Sequence, residues 1–302
     1  MSESVVEIRN LTRRFGKTLA LDDVDLEIRP GLVYGLVGAN GQGKTTLIKH
    51  FLGLLRAQKG SVRVFGLDPV KDPVSVLQRI GYLSEEREMP EWMRVHELMR
   101  YSSAFHPNWD WDYSTELLET FGLDTSKKVK ELSKGMRAQV GLVTAVSHRP
   151  ELLVLDEPST GLDAVVRKDI LNAIIRTVAD AGRTALFSSH LLDEVEQMSD
   201  YVVMIDAGKV VLHGEGDAIR EQHQVVHLRR RNSQLPKSDS CTILSAEPKG
   251  DSWTVVCSGS SVERQRAVEA WGEQLLSARG ASLQEVFVAH VGRDRLVDDE
   301  AQ

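Results

Sequence analysis

The 302-residue sequence predicts an α/β fold with a mainly parallel sheet, and three features carry that expectation. Short apolar runs alternate with helical patterns over the first two thirds of the chain. A glycine-rich segment, Gly38 to Thr45, joins one apolar run to the next helix, and a fully apolar run at 152–155 ends in two acids. Strands linked through helices return in parallel, so this alternation builds a sheet flanked by helices.

Taken in order, strands are expected at residues 5–8, 24–28 and 32–37, the last running into glycines. Helical spacing follows at 45–55, then a strand at 62–65 and a short helix before a strand at 80–83. Residues 92–123 are helical in period, interrupted at His106-Pro107-Asn108, and form an inserted helical subdomain. Strands are expected again at 152–155, 184–188 and 201–205, with helices at 164–179 and 191–198 between them. Asp206-Ala207-Gly208-Lys209 reads as a hairpin turn. Beyond residue 222 the pattern is that of a small α+β appendage, with strands at 225–228 and 253–256, a helix at 262–276, and fraying from Arg293.

Composition excludes several classes. The formal charge of −7 and pI near 5.8 oppose general binding to nucleic acid, which needs a basic surface. Arg229-Arg230-Arg231 reads as a solvated strand edge. No apolar run is long enough to span a membrane, and Met1 to Arg14 is too polar for a signal peptide, so folding in the cytosol is expected. Cys241 and Cys257 match no metal or redox spacing and read as reduced packing residues.

Gly38-Ala39-Asn40-Gly41-Gln42-Gly43-Lys44-Thr45 satisfies the phosphate-loop pattern and lies between a strand and a helix, as the mechanism requires. Glycines let backbone N–H groups approach the phosphates, and the helix points its positive end there. Lys44 supplies a cation to the β- and γ-phosphates, and the Thr45 hydroxyl a ligand for Mg²⁺. At the end of the run 152–155, Asp156 is expected in the Mg²⁺ shell, while Glu157 orients and deprotonates the attacking water.

Leu132-Ser133-Lys134-Gly135-Met136 makes the reading specific, because it resembles the signature loop of ABC transporter ATP-binding subunits. The resemblance implies a P-loop ATPase core with an antiparallel N-terminal β subdomain, in a domain of residues 1–222 whose helical subdomain spans about 90–145. A C-terminal accessory domain would occupy 223–302. It also implies that Ser133 and Gly135 contact the nucleotide held by an opposite subunit. Ser159-Thr160-Gly161-Leu162-Asp163 resembles the family's D-loop, with Asp163 acting across the dimer, and His190 resembles its switch histidine. Phe15 stands where the family stacks an aromatic on adenine, and Thr46 joins the nucleotide-binding set.

Three positions depart from the usual family form. Lys134 and Met136 replace a glycine and a glutamine in the signature loop, and Glu85, in Ile80-Gly81-Tyr82-Leu83-Ser84-Glu85, replaces the glutamine of the loop facing the membrane partner. These variants and the late Leu283-Gln284-Glu285-Val286-Phe287 resemble the bacterial exporter branch, of the ABC-2 type. The resemblance therefore implies an ATP- and Mg²⁺-dependent motor that pairs with a second ATP-binding subunit, identical or homologous. It would energise separate transmembrane permease subunits from the cytoplasmic face of the membrane. The alternative is a soluble ABC-type ATPase acting on ribosomes or DNA. Such proteins generally carry two cassettes or a long coiled coil, and this chain has one cassette and no heptad run.

Overall fold

The computed structural model describes residues 4–179, 182–230 and 236–299. Arg231, the last of the three consecutive arginines, lies outside the described residues. The chain forms two compact units, one comprising residues up to Leu191 with Ile205–Val210, the other Leu192–Met204 with residues from Val211 onward.

In the first unit, β1 (Val6–Phe15), β2 (Thr18–Ile28) and, after β3 (Val33–Val37) and α1 (Lys44–Phe51), β4 (Lys59–Val64) form an antiparallel sheet in the order β2-β1-β4. β1 and β2 are longer than their apolar pattern implies. The register of the pair shifts on both sides of Leu11, and Asn10 and Asp23 take left-handed φ values of 47° and 53°. These irregularities break the two-residue alternation, so the outer halves of both strands read as loop.

α2 (Pro73–Leu77) leads into β5 (Ile80–Leu83). α3 (Val95–Ser103) and α4 (Trp111–Thr120) follow, separated at His106-Pro107-Asn108 as the pattern predicts. They pack with α5 (Lys134–Val146) around Val95, Leu98, Met99, Leu118, Val140 and Val143. Asp110 caps α4, accepting a hydrogen bond from the Tyr113 N–H at 2.9 Å, and pairs with Arg149 at 2.9 Å. That arginine also stacks on the Tyr113 ring at 3.5 Å. β6 (Leu152–Asp156), α6 (Ala164–Ala179) and β7 (Thr184–Ser189) complete a parallel set in the order β5-β6-β7-β3. Every residue of β6 and β7 is buried, the mark of parallel strands covered on both faces.

α7 (Leu192–Met198), β8 (Tyr201–Asp206) and β9 (Lys209–Glu215) come next. The β8–β9 turn has positive φ at both Ala207 and Gly208, the tight hairpin form expected from the sequence. After α8 (Gly216–Gln222), the second unit holds a sheet of order β11-β12-β10-β13, from β10 (His223–Arg229), β11 (Thr242–Lys249), β12 (Ser252–Ser258) and β13 (Leu275–Gly280). α9 (Ser261–Trp271) packs Ala267 and Trp271 against Val226, Trp253, Val255 and Cys257. α10 (Leu283–Asp299) packs on β11 and β12. Both cysteines are free, and Cys257 is buried.

Several of these elements differ from expectation. The helix expected over 262–276 ends at Trp271 because Gly272 takes φ 47°, and the chain turns into β13. β11 and β13 are edge strands carrying Pro248 and polar residues such as Glu247 and Arg279, and lack an apolar alternation. α10 runs to Asp299, past the Arg293 at which fraying is expected. No described helix is long and apolar enough to cross a membrane.

Candidate nucleotide site

Two glycines of residues 38–43, Gly38 and Gly43, are required by their surroundings. A Cβ at Gly38 would lie 2.5 Å from the Ile205 carbonyl oxygen, and one at Gly43, where φ is 108°, would lie 2.5 Å from that of Ala20. Gln42 fastens the loop to the β8–β9 turn, its Oε1 accepting from the Ala207 N–H at 2.6 Å and its carbonyl from Gly208 at 3.2 Å. The loop ends at Gly43, and α1 begins at Lys44 with no side-chain cap, leaving its N-terminal N–H groups for a ligand.

Asn40, Gly41, Gly43, Lys44, Thr45, Thr46, Glu85 and Glu157 line one cleft of about 310 Å³. The structure therefore gathers the phosphate loop, one carboxylate from the end of β6 and one from the loop after β5. A larger cavity of about 720 Å³, bordered by His50, Arg56, Arg63 and Lys71, contains none of these residues. The smaller cleft is the one that gathers the expected phosphate-loop residues and carboxylates.

Within it Lys44 is buried, donating to the Gly38 carbonyl at 2.6 Å and lying 3.1 Å from Glu157 Oε1. Glu157 takes a left-handed φ of 49°, a strained value for a residue with a side chain. Ser188 Oγ holds that turn by accepting from the Glu157 N–H at 2.9 Å while donating to Asp156 Oδ1 at 2.6 Å. Glu157 Oε2 accepts from the Thr160 hydroxyl at 2.9 Å and from His190 Nδ1 at 2.7 Å. Burial pushes the Glu157 carboxyl pKa upward, but the His190 hydrogen bond, the Lys44 charge and hydrogen bond, and the Thr160 hydroxyl together hold it below the usual glutamate value. It is a carboxylate at neutral pH.

The other expected site residues lie outside this cleft. Asp156 is buried at the end of β6 on Ser188. Phe15 ends β1, 44% exposed, with the Arg13 guanidinium 4.6 Å from its ring centre. Ser133 caps α5 by accepting from the Met136 N–H at 3.2 Å, and a Cβ at Gly135 would meet Val166 of α6 at 3.1 Å. Asp163 caps α6, accepting from the N–H groups of Val165 and Val166 at 3.0 Å. Ser133 and Asp163 thus do structural work at helix starts within their own chain.

Three contributors escaped the sequence reading. Ser188 is found only through the β6–β7 register that sets it beside Asp156. Thr160, three residues after Glu157, carried a signal in that spacing. Arg87 is buried although it sits in the charged run Glu85-Glu86-Arg87-Glu88, where nothing local signals burial.

Residues 21–160 match the family model described as ABC transporter. The chain is 31% identical over 320 residues to the daunorubicin/doxorubicin resistance ATP-binding protein DrrA of Streptomyces peucetius, covering 98% of this chain and 96% of that protein. It is 32% identical over 231 residues to the bacitracin transport ATP-binding protein BcrA of Bacillus licheniformis, covering 76% and 72%. A solved structure described as the ATP binding subunit of an ABC transporter superposes with a TM-score of 0.66 at 28% identity, covering 72% of this chain and 92% of that one. The phosphate loop, the Glu157 cluster and these likenesses agree: the chain belongs to the ATP-binding subunits of ABC transporters, ATPases coupled to transport.

Proposed function

We propose that this chain is the motor of an exporter, working as one half of a head-to-tail nucleotide sandwich at the cytoplasmic face of the membrane and driving separate permease subunits. The observation that carries the reading is the Glu157 carboxylate, ionised and aimed by His190, Thr160 and Lys44 at the phosphate-loop cleft. Export is supported by the drug-resistance and bacitracin-transport names of DrrA and BcrA.

ATP enters with its phosphates on the N–H groups of residues 40–46, and Lys44 exchanges its contact with Glu157 for the β- and γ-phosphates. Glu157 accepts the proton of the attacking water. His190 donates Nδ1–H to Glu157, which leaves its other ring nitrogen for the γ-phosphate side. Phe15 offers an exposed ring to adenine. Ser133, Gly135 and Asp163 face the nucleotide of the opposite subunit, consistent with their lying outside this chain's own cleft. Thr45 and Glu85 border the cleft with oxygen donors of the kind Mg²⁺ takes, and the ion would supply charge neutralisation of the phosphates; Asp156, buried beside the cleft on Ser188, would have to turn from that hydrogen bond to join them. Residues 1–222 form the ATP-binding domain and residues 223–302 an accessory one, since every catalytic motif lies in the former.

A groove of about 590 Å³ lined by Val74, Leu77, Tyr82, Phe105, His106 and Ala145 supports docking of a permease beside the helical insertion. Val74 and Phe105 are 66% and 58% exposed there. The test is co-purification with the product of a neighbouring gene encoding about six hydrophobic spans, followed by ATP-driven uptake of daunorubicin or bacitracin into inside-out vesicles. Association and uptake support the exporter; ribosome or DNA association in its place would overturn it.

A further inference from the structure

Arg87 lies in the loop after β5, the strand whose Ile80 and Tyr82 border the apolar groove. It is 6% exposed and takes a left-handed φ of 51°, with its N–H bonded to Ser84 Oγ at 3.1 Å. Its Nη2 reaches across to the loop that follows Glu157, donating to the Pro158 carbonyl at 3.0 Å and the Thr160 carbonyl at 3.1 Å. Nε and Nη1 have no hydrogen-bond partner among the described residues. A buried guanidinium with most of its donors idle is costly for a mere loop anchor. Burial pulls its pKa down, and the neighbouring Glu85 carboxylate opposes that.

Thr160 is the residue that links the two ends. Its carbonyl accepts from Arg87, its hydroxyl donates to Glu157 Oε2, and its N–H bonds the Glu157 carbonyl at 3.2 Å. We propose that Arg87 is a positioning residue that braces the Glu85 loop against the Pro158–Thr160 turn and so fixes the carboxylate of Glu157. A shift of the Glu85 loop, at the border of the groove, is then passed to the catalytic base through one side chain and one threonine. This rests on the assignment of Glu157 as the base, and adds to it a mechanical input.

The test compares Arg87→Met, which removes the donors, with Arg87→Lys, whose ammonium can still reach both carbonyls. In the full-length chain with Mg·ATP, amide exchange in peptides spanning Glu157 to Asp163 should quicken at least about tenfold in the Met variant and return toward wild type in the Lys variant. Steady-state turnover should fall by about tenfold or more for Met with the KM for ATP unchanged within about twofold, and recover in part for Lys. Unchanged exchange would overturn the proposal. So would quickened exchange throughout the first unit in both variants, which marks a folding role alone. Exchange is read independently of hydrolysis, so an error about Glu157 shows up in Glu157→Gln turnover and not in this comparison.

Discussion

Lys44 Nζ and Glu157 Oε1 lie 3.1 Å apart, each side chain about 5% exposed or less. The pair joins the start of α1 to the end of β6, and it occupies the cation that ATP phosphates need. A buried pair of this kind is destabilised sharply when one partner is removed, because the other charge is stranded. On the proposed function, nucleotide binding would replace one anion on Lys44 with another and free Glu157 to face water.

Glu157→Gln should keep ATP affinity within a fewfold and lower hydrolysis by about 10²–10⁴, since an amide cannot take the water's proton. With Mg·ATP the variant should elute from gel filtration as a dimer. A monomer that binds ATP normally would remove support for the sandwich. Lys44→Ala should lose phosphate binding and activity together, and wild-type turnover in that variant would refute the assignment of the loop.

His148 tests the seam between α5 and the helical insertion. Its Nε2 donates to the Ile80 carbonyl at 3.1 Å, and its ring stacks on His106 with centres 3.8 Å apart. Burial, with the His106 ring adding to it, pushes the His148 pKa down to about 4. The unfolded chain takes up a proton near pH 6.5 and the folded chain does not, so stability is complete above pH 6.5 and declines as pH falls toward 4. The loss reaches on the order of 3 kcal/mol, from a drop of roughly 2.5 pH units. His148→Gln keeps a donor for Ile80 and removes the titration, so its urea midpoint should change less between pH 7 and 4.5. Equal slopes for the two proteins would refute it.

Much of the first unit was legible because its elements obey simple periods. β6 and β7 read as unbroken apolar runs, and the phosphate loop lies between a strand and a helix as its chemistry demands. The outer half of β1 was not legible, since the irregular register around Leu11 hides an antiparallel partner. Nor were β11 and β13, edge strands whose exposed positions carry polar residues that interrupt any apolar alternation. In the site, residues defined by chemical type were found, whereas Ser188 and Arg87 act through distances set by register and by a left-handed turn. No local pattern encodes those.

Glu285 gives an acid-sensitive contact in the second unit. It accepts from Arg279 and from the Ser282 N–H at 2.9 Å, while the Ser282 hydroxyl accepts the Glu285 N–H at 3.3 Å, a reciprocal cap at the start of α10. The Arg279 hydrogen bonds hold its pKa down at about 2. Its contribution is therefore complete above the unfolded value of 4.5 and is lost as pH falls toward 2. Solvent screening limits it to about 1 kcal/mol. Glu285→Gln should lower the melting temperature of the chain by a few degrees at pH 7 and by less at pH 3. A drop of the same size at both would show that the charge is irrelevant.

Glu85 carries the last prediction. It is exposed, yet it borders the same cleft as Thr45 and Glu157, where the family more often has an uncharged glutamine. Hard dications favour charged oxygen, so a carboxylate here strengthens Mg²⁺ binding once the phosphates are in place. Without the ion, the same charge would repel the γ-phosphate, making the closed state more strictly metal-dependent than with a glutamine there. Glu85→Gln should raise the Mg²⁺ concentration for half-maximal ATPase activity by about threefold to tenfold, equivalent to roughly 0.7–1.4 kcal/mol of binding. Turnover at saturating Mg²⁺ should stay within about twofold, because the base, Glu157, is untouched. A Mg²⁺ titration of both proteins at fixed ATP decides the matter. Superimposable curves would show that Glu85 is no ligand, and its loop would then serve the membrane partner alone, through the Arg87 brace.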